Sequence, residues 1–160
     1  MRIAFIYRWC IILMLSLMVQ PMLAQNQKNS RRNDNYTPTK KGTPGYYDYT
    51  VRHLFKQGLW GSGKKLLDEG LSNYETVWPL NELMGSYWLH YKKYDRARYF
   101  LIRSLRDDNK NPQTLQMLMK VEEMTHHYSS AIVYCNQLLE LAPYEYNLWR
   151  KKIELYRLQG

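Results

Sequence analysis

A step of thirty-four residues governs this chain. "YDRARYFL" (94–101) and "YSSAIVYC" (128–135) match in residue type at three places: Tyr94 with Tyr128, Ala97 with Ala131, and Leu101 with Cys135. The same step backwards lands on Trp60, Gly63 and Leu67, and further columns run through Leu71, Leu105 and Leu139 and through Gly70, Ser104 and Leu138. Aromatic, small and apolar columns held through three copies mark a repeat protein, whose units stack because a single unit cannot bury its own apolar face.

Spacing within a copy sets the local structure. Tyr94, Ala97, Leu101 and Leu105 fall three, four and four apart, which is one face of an α-helix. Ahead of each such stretch lies a second amphipathic one: "YYDYTVRHLFKQ", "PLNELMGSYWLHY" and "PQTLQMLMKVEEMTHH". Pro79 and Pro112 mark helix starts, where a missing N–H costs nothing. Each copy is therefore expected to be two antiparallel helices, A then B, joined by a short polar turn such as Tyr91–Lys93. The small column (Gly63, Ala97, Ala131) lets helix A approach helix B closely, and the apolar column one turn later reaches the next copy.

These columns resemble the tetratricopeptide repeat, W-x2-L-G-x2-Y…A-x3-F…P over 34 residues. In the second copy Met84-Gly85 stand for the Leu-Gly pair, Trp88 for the Tyr, Ala97 for the Ala and Leu101 for the Phe. The third supplies Leu118-Met119, Ala131, Cys135 and Pro143, and a fourth start supplies Trp149 and Tyr156. The first copy departs most, with Tyr47 for the Trp and Thr50-Val51 for Leu-Gly. The resemblance covers about residues 46–160 and implies an all-α solenoid of antiparallel helix pairs, with copies at about 44–77, 78–111, 112–145 and a partial one at 146–160. The partial copy is expected either to serve as a terminal cap, with charges on its outer face, or to continue into a longer protein.

The N-terminus reads differently. "MRIAFIYRWCIILMLSLMVQPMLAQ" has Arg2 and Arg8, then an apolar run from Trp9 to Val19. A basic start, a short apolar run and a small residue describe a secretory leader, with the cut expected after Ala24. The run is shorter than the 18 or so apolar residues a membrane span needs. Losing Arg2 and Arg8 lowers the formal charge from +9 to +7. Much of that surplus lies in residues 25–45, rich in Asn, Thr, Pro and Gly, which are expected to form a basic flexible tether. Without the leader one cysteine remains, Cys135, in a leucine column; it reads as core, and the domain is not held by disulfides.

No catalytic constellation is apparent. His53, His90, His126 and His127 have no metal-ligand spacing, and His126 and His127 fall at an A–B turn. "GLWGSGKK" lacks the P-loop spacing, and Glu122 and Glu123 point apart on their helix. No enzyme, cofactor or metal is expected. Arg96, Arg98, Arg103 and Arg106 are expected on a solvated outer face of helix B.

What the resemblance implies is an inner groove lined by helix A, in which a partner protein or peptide lies. By repeat position its residues are Arg52, Phe55 and Lys56; Glu82, Ser86, Leu89 and His90; Gln116, Lys120 and Glu123; and Arg150 and Glu154. The places of the lysine and asparagine clamp used by chaperone-binding members hold Asp48, Arg52, Gln116 and Lys120, so that clamp is not matched. The expected function is a non-catalytic interaction scaffold in a bacterial envelope or periplasm, with no nucleic-acid partner. The competing expectation is the periplasmic repeat part of a polysaccharide secretion system, since fifteen tyrosines and five tryptophans offer rings on which sugars stack.

Overall fold

A computed structural model describes residues 40–160; the expected leader and most of the expected tether lie outside them. Helices follow in the order α1 (Pro44–Lys56), α2 (Trp60–Asn73), α3 (Trp78–His90), α4 (Tyr94–Asp107), α5 (Pro112–Met124), α6 (Tyr128–Leu141) and α7 (Tyr146–Gln159). The starts of α1, α3, α5 and α7 are each thirty-four residues apart, as are those of α2, α4 and α6. The described residues hold helices and no strand, and no helix among them is long and apolar enough to cross a membrane.

Local chemistry places the helix starts. The Asn111 Oδ1 caps α5, accepting from the backbone N–H groups of Gln113 and Thr114 at 3.0 and 3.2 Å, which satisfies donors a helix start leaves free. Thr43 caps α1 by accepting from the Tyr46 N–H at 3.4 Å. That helix consequently begins at Pro44, two residues inside the stretch that composition assigns to the tether.

The A–B turns share one device. Gly58, Lys92 and His126, again thirty-four apart, all have positive φ, at 75°, 56° and 62°. The residue after each donates back to a carbonyl five places earlier: Leu59 to Leu54 at 2.9 Å, Lys93 to Trp88 at 2.9 Å, His127 to Glu122 at 2.8 Å. This is the Schellman termination, whose left-handed residue is usually glycine. Only the first copy has one.

Packing follows the columns. Leu67, Ala97, Leu101, Leu118, Val121, Ala131, Cys135 and Leu155 are fully buried. Burying a leucine side chain contributes roughly 2 kcal/mol, against at most about 1 for an exposed ion pair, so these columns dominate the stability. A Cβ on Gly85 would lie 2.5 Å from Leu101 Cγ, and one on Gly63 would lie 2.5 Å from Phe55 Cε1; these two glycines let the A and B helices of their copies meet closely. Cys135 is core: its thiol lies 3.4 Å from the Leu148 carbonyl, to which it donates, and burial pushes its pKa up. On α7 the exposed stripe is Tyr146, Trp149, Ile153 and Tyr156. Arg150, Glu154 and Arg157 are exposed on the same helix.

Candidate partner-binding groove

Successive A helices pack on one another, α1 on α3 and α3 on α5, while no comparable packing joins successive B helices. The A helices therefore form the inner side of the stack. Counting the first residue of each A helix as position one, position five holds Asp48, Glu82, Gln116 and Arg150, and position nine holds Arg52, Ser86, Lys120 and Glu154.

At the first junction these positions form a partly buried ion-pair cluster. Arg52 donates from Nε to Asp48 Oδ1 at 2.8 Å and from Nη2 to Glu82 Oε1 at 2.9 Å. Glu82 is 1% exposed, and its second oxygen accepts from the Thr114 hydroxyl at 3.2 Å. The Ser104 hydroxyl donates to the Trp78 carbonyl at 3.0 Å and lies 3.3 Å from that of Thr114. Burial opposes the charge on Arg52, but the two carboxylates outweigh it and hold the guanidinium above its usual range. One cation thus ties three consecutive A helices together, through Glu82 and Thr114.

The expected groove residues divide accordingly. Arg52 and Glu82 are committed to the cluster. Phe55 is buried, its ring 4.4 Å from that of Trp60. His90 is exposed but stacked on Trp60 at 3.9 Å. Ser86 and Leu89 are half-buried, and Lys56, Gln116, Lys120, Arg150 and Glu154 are exposed. Glu123 accepts from Lys151 at 3.1 Å, and the same ammonium reaches Glu154 at 2.9 Å. The surface a partner could touch is therefore Ser86, Leu89 and His90 in the middle and Gln116, Lys120 and Arg150 beyond. Lys151 and Thr114 lie outside the residues that repeat position singles out. Thr114 gives no sequence signal, whereas Lys151 adjoins Arg150 and lies three residues before Glu154.

Of the four helix-B arginines, Arg96 and Arg106 are exposed as expected, whereas Arg98 and Arg103 are half-buried in ion pairs and correct the expectation of a solvated stripe. Arg98 binds Glu122 through two contacts, Nε to Oε1 at 2.7 Å and Nη2 to Oε2 at 3.1 Å. Glu122 is 4% exposed, so Arg98 balances a buried charge between α4 and α5. Arg103 pairs with Glu75 at 2.8 Å, and the Arg96 guanidinium lies 4.6 Å from the Trp88 ring centroid. Arg106 lines a cleft of about 450 Å³ with Ile102, Leu105, Leu115 and Leu141. Among the described residues no group of three or more His, Cys, Asp and Glu is placed to hold a metal.

No family model matches the chain, and no curated protein matches it. Solved structures do. The Arabidopsis OM64 TPR domain superposes with a TM-score of 0.65 at 13% identity, over 71% of this chain and 94% of that one. MamA (AMB-1) gives 0.67 at 20%, over 76% and 72%. The first TPR of Spaghetti (RPAP3), solved bound to the HSP90 peptide SRMEEVD, gives 0.67 at 13%, over 74% and 94%.

Proposed function

We propose, from the tetratricopeptide-repeat fold that this chain carries, that it is a non-catalytic scaffold holding an extended segment of a partner protein along its inner groove. The observation behind this reading is the split along the A helices. One set of polar side chains ties the helices to each other, while Gln116, Lys120 and Arg150 are exposed and Ser86 and Leu89 half-buried on the same helices. Such a line suits a chain laid across several repeats, where each contact is modest and the sum is specific. The HSP90 peptide held by one structural relative supports a peptide as the kind of ligand. A bacterial envelope setting belongs to the same reading and rests on the basic and apolar leader alone.

The test is capture from an envelope fraction by the full-length protein. The double variant Ser86→Trp/Gln116→Trp, which fills the groove, is run beside Tyr99→Ala on a helix-B face. The groove variant should lose the partner while staying helical, and Tyr99→Ala should keep it. Loss by Tyr99→Ala alone would move the binding face to the B helices. N-terminal sequencing of the chain made in its own cells checks the setting, with Gln25 expected first.

A further inference from the structure

The B-helix side of the stack carries a cleft that the repeat itself does not call for. Helices α4 and α6 each pack on α5 but make no comparable packing with each other. The cleft of about 450 Å³ lies where residues of all three helices come together. Ile102, Leu105, Leu115 and Leu141 form its apolar walls. Arg106, Asn109, Lys110, Gln137 and Glu140 supply the polar groups around them.

The preceding copy serves as an internal comparison. Thirty-four residues before Ile102, Leu115 and Leu141 stand Asp68, Asn81 and Asp107, so the stack forms with polar side chains at those places. Of the apolar walls only Leu105, with Leu71 before it, belongs to a repeat column. Gln137 and Asn109 correspond in the same way to Arg103 and Glu75. At the first seam those two form a bridge, Arg103 Nη2 donating to Glu75 Oε1 at 2.8 Å. At the second seam the bridge is gone: Gln137 and Asn109 both line the cleft, and Gln137 Oε1 is shut off from water with no hydrogen-bond partner. Buried polar atoms of side chains nearly always have one. Arg106, Lys110 and Glu140 are exposed, and none has an ion-pair partner among the described residues.

We infer that this cleft is a binding site separate from the A-helix groove, taking a tyrosine of a partner segment that carries a carboxylate residue beside it. The volume falls in the range of roughly 300–1,000 Å³ usual for ligand pockets, and a ring with a polar tip matches apolar walls that hold one amide. Turning the Gln137 amide about its last bond exchanges its oxygen and nitrogen. A phenol both donates and accepts, so it satisfies whichever end faces the cleft, whereas phenylalanine satisfies neither. Arg106 and Lys110 outnumber Glu140, and charge-assisted hydrogen bonds from them favour an acid next to the ring. Tyr99, whose hydroxyl accepts from Arg103 at 2.8 Å, belongs to the first seam and does not line the cleft.

The probe is an end-blocked, fluorescein-labelled peptide, Glu-Tyr-Glu flanked by glycines, with binding to the full-length protein followed by anisotropy. Peptides with alanine or phenylalanine for the tyrosine, and with glutamine for the glutamates, serve as comparisons. The alanine peptide should bind about tenfold or more weakly, and the phenylalanine and glutamine peptides about fivefold. The double variant Gln137→Arg/Asn109→Glu rebuilds across the cleft the bridge that Arg103 and Glu75 make one copy earlier. It should keep the fold and weaken the tyrosine peptide by about tenfold or more. Arg106→Glu, at an exposed position, should weaken it by about fivefold, and Ser86→Trp, on a groove helix, should leave it unchanged. Equal binding of the tyrosine and alanine peptides overturns the site, as does full affinity in the folded double variant. If the double variant does not fold, full affinity in Arg106→Glu overturns it instead. Equal binding of the tyrosine and phenylalanine peptides overturns the contact with Gln137. Weakening by Ser86→Trp, with full affinity in the cleft variants, places the peptide in the groove and overturns the cleft.

Discussion

Arg52 sits between two carboxylates, and removing it has a different cost from removing either acid. Arg52→Met leaves Asp48, 8% exposed, and Glu82, 1% exposed, without their cation. Stranding buried charge costs about 3–5 kcal/mol in full burial. Because the Arg52 side chain keeps 31% of its exposure, the lower end, about 3 kcal/mol, is expected. Glu82→Gln keeps the shape and an oxygen for Thr114 while Arg52 retains Asp48, so about 1 kcal/mol is expected. Urea unfolding of both variants measures the difference. Equal losses would mean that Glu82, rather than Arg52, carries the cluster. This cluster is not legible in the sequence. Arg52 and Asp48 are one turn apart and readable as neighbours, but Arg52 and Glu82 lie 30 residues apart and meet only because successive A helices pack. Arg98 reads as solvated in the sequence for the same reason, since its partner Glu122 lies 24 residues on, across a helix–helix contact.

At the scale of the helix and its turns, sequence periodicity is a good guide. Pro79 and Pro112 fall in the first turns of α3 and α5, and the Ala and Leu columns fall on the buried face. Pro44 and Gly45 read as breakers by composition, whereas Thr43 caps the helix they open. The left-handed turn residues are hidden too. Gly58 advertises such a turn, but Lys92 and His126 adopt the same conformation without a residue type that announces it. A non-glycine residue there carries roughly 1–2 kcal/mol of steric cost, and glycine returns about half of that as unfolded-state entropy. Lys92→Gly should therefore stabilise the protein by about 0.5–1 kcal/mol, seen as a Tm rise of a few degrees. A fall would mean that the Lys92 side chain contributes more than its backbone costs.

For the whole molecule, a repeat of strict length built from poorly matching residues explains why the fold is readable and the partner is not. Burial is preserved at Leu67, Leu101 and Cys135, so the stack forms. The A-helix positions change charge from copy to copy, from Asp48 and Glu82 to Gln116 and Arg150, and that variation writes the groove. Repeat position alone places the expected groove residues on the A helices. Which of them are exposed depends on helix–helix packing.

That the inner groove is the binding face is tested most directly by site-specific photo-crosslinking in the protein's own cells, whatever the partner's identity. A benzophenone amino acid is placed in turn at Ser86 and Gln116 on α3 and α5, and at Tyr99, which is 55% exposed on α4. The groove reading predicts one adduct of common mass from positions 86 and 116 and none from 99. An adduct from position 99, with none from the groove, would contradict it.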